Sequence, residues 1–370
     1  MTPADGTKSR VKVLVIDDSR VIRELLTAVL SDDPAIEVVG AAEDPIMARS
    51  MIKSLSPDVI TLDIDMPKMN GLEFLRRLMK LHPLPAVVIS SHVQPGGAMT
   101  IKALEMGAVD CVGKPGGSDT HSFLSLGDEI TLKVKEASKA DMHAARSRAA
   151  RWRARFDGQD GARAALDHVI GIGASMGGVQ ALCKILPAFP AASPPILISQ
   201  HMPGGFTRSF AERLNGLGHL DVMEAEDGAE LLPGKVYVAP GGFQLSITSR
   251  AERRFCRVTP RQRGEMQAPS VDRLFTSLAD VARQSGVGIL LTGMGRDGAD
   301  GLLRMRLAGA TTICQDKATS LVYGMPSAAA AQGAALYHLP LARIPSFVGS
   351  ICVRSSSAAS ARPTEECVGL

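Results

Sequence analysis

Apolar and polar residues alternate along the first third of the chain in blocks that repeat five times. The apolar blocks are "VKVLVIDD" at 11–18, "IEVVGAA" at 36–42, "DVITLDID" at 58–65, "AVVISS" at 86–91 and "VDCVGK" at 109–114. Short runs of this kind read as strands buried on both faces. Between them lie amphipathic stretches, with Val21, Ile22, Leu25, Leu26 and Val29 at helical spacing. Strand–helix units in series predict an α/β fold, a doubly wound parallel sheet whose ligands sit at the carboxyl ends of the strands.

The pattern dissolves from about Lys139 to Arg163, where Arg146, Arg148, Arg151, Arg153 and Arg155 stand among small and polar residues, as in a solvated linker. It resumes near Asp167 with the strand-like runs "HVIGIG", "PILISQ", "KVYVAP", "VGILLTG" and "TTICQ". Helix-like stretches fall at 204–215, 270–283 and 300–308, and a β-hairpin pattern at 243–258 interrupts the alternation. The expected division is a flavodoxin-like domain over 1–125, a linker over 126–166, a second doubly wound α/β domain with a small hairpin over 167–352, and a disordered Ser/Ala-rich tail over 353–370.

Composition narrows the classes. A chain of 370 residues accommodates two cores, and 45% hydrophobic with 21% charged residues is ordinary for a globular protein. A net charge of +3 and 4% aromatic residues give no footprint for nucleic acid, and no basic recognition helix stands out. The six cysteines form no C-x-x-C pair, so neither a zinc framework nor a disulfide scaffold is expected. The first residues, MTPADGTKSR, lack an apolar signal core, and no apolar run is long enough to span a membrane. These features predict a cytoplasmic protein with no membrane insertion.

In the first domain Asp17 and Asp18 close the first strand and Asp63 closes the third. A 2-1-3-4-5 sheet makes those strands neighbours, so the three carboxylates converge. Like charges about 4 Å apart repel by roughly 4 kcal/mol per pair at an effective dielectric near 20. Such an all-oxygen cluster favours Mg²⁺. The fourth strand ends in the hydroxyl of Ser90 and the fifth in Lys114-Pro115, completing the parts needed to accept and hold a phosphoryl group. On "IDDS", "PDVITLDIDMPKMNG", "VVISS" and "GAVDCVGKP" the segment resembles the receiver domain of two-component response regulators. The resemblance implies Asp63 as phosphoacceptor, Mg²⁺ held by Asp17, Asp18, Asp63 and the Asp65 carbonyl, Ser90 as the switch hydroxyl, and Lys114 bonding the phosphoryl group. Cys111 departs from the pattern, standing where receivers carry an aromatic.

The second domain opens on "GIGASMGG" at 171–178. As a dinucleotide fingerprint it fails: Met176 stands where the third glycine belongs, and the next strand ends in Gln200-His201 in place of a ribose-binding acid. As a nucleophile elbow it fits, with Ser175 between Gly173 and Gly177 and a helix N-terminus beyond to receive an oxyanion. The hydroxyl needs a base, which His201 supplies if its strand is adjacent. Asp297, in the turn "GMGRDGADG", could orient that imidazole. His338 is the alternative base, but it lies inside the strand-like "ALYHLPL".

With "SQHMPGGFT", "GKVYVAPGG", "PSVDRLF", "LLTGMGRDGADGLLRMRLAGA" and "TTICQDKATSLVYGMP", the domain resembles the catalytic domain of the CheB family of chemotaxis protein-glutamate methylesterases/glutaminases. That resemblance implies Ser175 as nucleophile, His201 as base, Asp297 as its partner, and an oxyanion hole from the Met294 N–H and those after Ser175, beginning with Met176. It implies a phosphorylation-activated enzyme with no cofactor in the esterase site. Methyl-accepting chemoreceptors are its substrates and a chemotaxis histidine kinase its phosphodonor. Met176, Gln244, Lys317 and Ser327-Ala328 stand where the family more often has threonine, histidine, an acid and an acidic pair. The competing reading is a non-enzymatic response regulator whose second domain binds a partner.

Overall fold

The computed structural model describes residues 10–66, 70–90, 98–114, 126–142 and 168–359, without the side chains of Ser90 and 353–359. The first sheet comprises β1 (Val11–Ile16), β2 (Ile36–Ala42), β3 (Val59–Leu62), β4 (Ala86–Ser90) and β5 (Asp110–Gly113), in the order β2-β1-β3-β4-β5. Every pairing in it is parallel. The helices are α1 (Arg20–Ser31), α2 (Pro45–Leu55), α3 (Gly71–Leu81), α4 (Ala98–Met106) and α5 (Gly127–Ala137). Local chemistry starts several of them. Ser19 caps α1, Asp44 caps α2 ahead of Pro45, and Asn70 caps α3.

The receiver boundary expected at 125 needs correction. Helix α5 buries Ile130, Val134 and Ala137 against the first sheet, so the packed unit runs through at least Ala137. Those three residues recur on one helical face, and that face needs the sheet for cover. The linker arginines lie outside the described residues.

The second sheet has seven strands in the order β14-β13-β12-β6-β7-β9-β8. They are β6 (Val169–Ala174), β7 (Ile196–Gln200), β8 (Asp221–Glu224), β9 (Lys235–Val238), β12 (Gly286–Leu290), β13 (Thr311–Gln315) and β14 (Tyr337–Leu339). A separate antiparallel ribbon, β10 (Phe243–Arg250) with β11 (Arg253–Pro260), is the hairpin that the sequence pattern predicts. The chain enters at β6, builds outward to one side, then returns to lay β12, β13 and β14 on the other. This makes the carboxyl end of β6 a topological switch point, where such sheets bind ligands.

Helices α6 (Gly178–Ile185), α7 (Thr207–Asn215), α8 (Val271–Val281), α9 (Ala299–Leu307), α10 (Met325–Ala331) and α11 (Ile344–Ala359) cover this sheet. Helix α11 continues past Val353, where the tail was expected to begin. Alanine and serine carry no bulk that obstructs a helix, and the turns before it are anchored by buried Val348 and Cys352. Residues 360–370 lie outside the described residues. Among the described residues no helix is long and apolar enough to cross a membrane.

Candidate active site

Three adjacent parallel strands carry the expected site. Ser175 follows β6, His201 follows β7 in direct register with it (Ala174 beside Gln200), and Asp297 follows β12 on the other flank. The glycines of "GIGASMGG" have a packing role here. A Cβ on Gly171 would lie 2.3 Å from Leu278, and one on Gly173 would lie 2.1 Å from Val271. Helix α8 therefore sits directly on β6, which brings its N-terminus to Asp297. Gly177, at φ +77, supplies the left-handed turn after the serine.

Asp297 is held by four donors. His201 Nε2 lies 2.7 Å from Oδ2, the Val271 N–H donates to Oδ2 at 2.8 Å, and the Asp272 N–H and the Ser270 hydroxyl donate to Oδ1 at 2.9 and 3.0 Å. Burial opposes ionisation, but the His201 ring and the N–H groups of Asp272 and Val271 outweigh it and hold Asp297 at about 2. Asp272 moves the other way, to about 6, through burial reinforced by the charge of Asp297 and despite the Gly301 N–H at 2.6 Å.

With Nε2 engaged, Nδ1 is the imidazole nitrogen left to serve Ser175. Ser175 and His201 line one small cavity, yet among the described residues the Ser175 hydroxyl makes no hydrogen bond. The expected imidazole–serine bond is thus not formed, although His201 and Asp297 are joined. Such contacts commonly tighten only when substrate binds.

The loop after β12 presses against the serine: a Cβ on Gly293 would lie 2.8 Å from Ser175 Cβ. The N–H groups of Met176 and Met294 have no hydrogen-bond partner among the described residues, leaving both able to face an oxyanion. Two buried side chains that the sequence did not mark fix these loops. Gln200 Nε2 donates to the carbonyls of both Ser175 (2.8 Å) and His201 (3.1 Å). The Thr292 hydroxyl bonds the Met176 and Val322 carbonyls at 3.0 and 3.1 Å and accepts the Val322 N–H at 2.9 Å. Their only sequence signal is a polar residue at the end of an apolar strand. His338, the alternative base, lies in the edge strand β14, paired with Cys314 of β13.

In the first domain Lys114 Nζ lies 2.7 Å from Asp17 Oδ2 and 2.6 Å from Asp63 Oδ2, all three side chains buried. Ligand atoms of Asp17, Asp18 and Asp63 fall within 4.8 Å of one another. Asp65 donates its N–H to Asp63 Oδ1 at 3.1 Å. Burial, with Asp63 adding to it, raises the Asp17 pKa despite Lys114. Burial disfavours the charged lysine too, but the two carboxylates outweigh it and raise the Lys114 pKa. Ser90 ends β4 beside Gly113, and its side chain lies outside the described residues.

The two domains touch over the site. Leu104, Ala108, Val109, Asp110 and Cys111, from α4 to β5, complete the cavity lined by Ser175 and His201. Arg213 of α7 clasps Glu105 with two bonds, at 3.0 and 2.5 Å, and Gln180 Nε2 reaches the Ala108 carbonyl at 3.1 Å. Met176, Leu321 and Val322 share an apolar cluster with Val112, Ile130 and Met142. Burial pushes the Cys111 thiol up to about 12.

A phosphoacceptor-type carboxylate cluster in one sheet and a serine–histidine–aspartate set under its edge define a receiver-controlled response regulator with a hydrolase-type output domain. Residues 13–121 match the response regulator receiver domain family and residues 170–348 match CheB methylesterase. A protein-glutamate methylesterase/protein-glutamine glutaminase of Caulobacter vibrioides is 49% identical over 331 residues, spanning 88% of this chain and 93% of that relative. Its counterpart in Agrobacterium fabrum is 49% identical over 337 residues, spanning 90% and 94%. The chain belongs to the CheB family of receiver-linked methylesterases.

Proposed function

We propose that this chain is a phosphorylation-activated serine hydrolase that removes methyl groups from glutamate methyl esters of methyl-accepting chemoreceptors, and deamidates glutamines there. The observation that carries the reading is the 2.7 Å bond between His201 and Asp297 beside a serine sharing the His201 cavity. His201 Nδ1 takes the proton of Ser175, whose oxygen attacks the γ-carbonyl of the ester. The Met176 and Met294 N–H groups receive the oxyanion, and Asp297 stabilises the imidazolium. The imidazolium returns its proton to the leaving group, which departs as methanol. A water deprotonated by His201 then cleaves the acyl-enzyme to glutamate and free serine. With glutamine the leaving group is ammonia and the acyl-enzyme is the same.

Regulation follows from the covering of Ser175 by the α4–β5 edge of the receiver. A phosphoryl group on Asp63, supplied by a chemotaxis histidine kinase in the cytoplasm, adds about −1.5 to −2 charges at pH 7 and biases the receiver away from this packing. The donor set fits Mg²⁺: three carboxylates converge beside a single lysine, and Asp17 and Asp63 among them are buried. Asp17, Asp18 and Asp63 would hold the ion, with the Asp65 carbonyl expected beside them. When bound, Mg²⁺ supplies charge neutralisation for phosphoryl transfer. Lys114, already on Asp63, is placed to bond the incoming phosphoryl oxygens. The family membership disfavours an idle partner-binding site. Labelling by a fluorophosphonate tests the choice: modification confined to Ser175 and abolished in Ser175→Ala is expected, and an unreactive Ser175 in the phosphodonor-treated chain would contradict it.

A further inference from the structure

Gln244 lies in β10, on the hairpin, and is 2% exposed. All of its polar capacity is turned on one loop. Its Oε1 accepts the Ser270 N–H at 2.8 Å, and its Nε2 donates to the Gln267 carbonyl at 2.7 Å and to Glu265 Oε2 at 3.1 Å. That loop ends in Ser270, the N-cap of α8, and Ser270, Val271 and Asp272 provide three of the four donors on Asp297. A buried amide with every group satisfied specifies one geometry, and losing it leaves buried polar partners unmatched.

We infer that Gln244 is a positioning residue for catalysis: it seats the N-terminus of α8 against Asp297, and through Asp297 fixes the orientation and basicity of His201. The inference rests on the serine hydrolase reading above. The span from β10 to the imidazole is covered by three successive bonds, Gln244 to Ser270, Ser270 to Asp297 and Asp297 to His201. When donors leave Asp297, more of its negative charge remains for His201, and the imidazole holds its proton more tightly. The titratable groups around this carboxylate are His201 from the end of β7 and Asp272 on α8. Glu265 stands on Gln244 itself, and Asp300 lies near Asp272.

The experiment measures methanol release from methylated receptor membranes by the full-length chain with a small phosphodonor, across pH, for wild type, Gln244→Leu, Gln244→Glu and Ser175→Ala. Gln244→Leu should lower kcat about 10- to 100-fold, as small misplacements of a catalytic group do, with KM within about twofold. The acid limb of its kcat/KM profile should move to higher pH. Gln244→Glu keeps the acceptor and side-chain length but loses the donors. It should fall about 10-fold with the limb displaced the same way, and it carries the test if the leucine variant does not fold. Wild-type kcat in a folded variant, or reduced kcat with an unmoved acid limb, overturns the positioning role. Hydrolysis surviving in Ser175→Ala would instead remove the reading on which it rests.

Discussion

Both sheets carry functional carboxylates beyond the carboxyl ends of their strands, but the two sets of neighbours are opposite in kind. In the receiver, Asp17 and Asp63 share a single lysine, and Asp18 adds a third negative group nearby. That cluster keeps unbalanced negative charge and lone pairs, which suits a cation and a phosphoryl group. In the output domain Asp297 is saturated by an imidazole, a hydroxyl and two backbone N–H groups at a helix N-terminus. A carboxylate so enclosed has little left to offer a substrate and serves to orient. The role of an aspartate at the carboxyl edge of a sheet is read from its donors.

Asp297→Asn should drop kcat for methanol release on the order of 10⁴-fold, the scale seen when a triad loses its acid. The same carboxylate also contributes to folding. Its pKa in the fold, about 2, lies below the reference 3.8, so its stabilisation is present above that reference and is lost as pH falls through about 2. Chemical denaturation of wild type and Asp297→Asn should therefore differ most near neutrality and converge in acid.

On the receiver side, Asp63→Asn should abolish the response to phosphodonor while leaving basal hydrolysis, read as the ratio of rates with and without donor. Between the two sites, Thr292→Val keeps the shape but removes the hydroxyl that ties Met176 to Val322. It should lower kcat about tenfold, equivalent to one lost buried hydrogen bond, with KM little changed. The smallest effect belongs to the domain contact. The Arg213–Glu105 pair is partly exposed, and such pairs contribute about 0.2–1 kcal/mol. Arg213→Ala should accordingly raise basal hydrolysis no more than about fivefold in the absence of phosphodonor.

Much of this was legible in the chain. Five apolar runs and their helices forecast the 2-1-3-4-5 sheet, and the strand ends brought Asp17, Asp63 and Lys114 together as expected. Ser175 and His201 were legible because each directly follows a strongly apolar strand, and Asp297 because its glycine-rich turn follows a third. Strand β8 escaped because "DVME" is four residues at a sheet edge, with one fully buried position. Helix α5 falls within the expected linker because its apolar face is only three residues deep. The parts played by Gln200, Gln244 and Thr292 depend on contacts made across the fold, and a polar residue beside an apolar strand does not say which contacts those are. The glycines at 171 and 173 look the same on paper whether they cradle phosphate or admit a helix. Only the packing of α8 distinguishes the two, its Leu278 and Val271 lying 2.3 and 2.1 Å from where a Cβ at 171 or 173 would stand.

On this reading one hydroxyl, on the switch-point turn, performs the hydrolysis. Methanol release from methylated receptor membranes, with phosphodonor present, tests it in wild type and Ser175→Ala side by side. Steady release by the wild type and none above background from the variant is expected. Release by Ser175→Ala at a rate near that of wild type would contradict it.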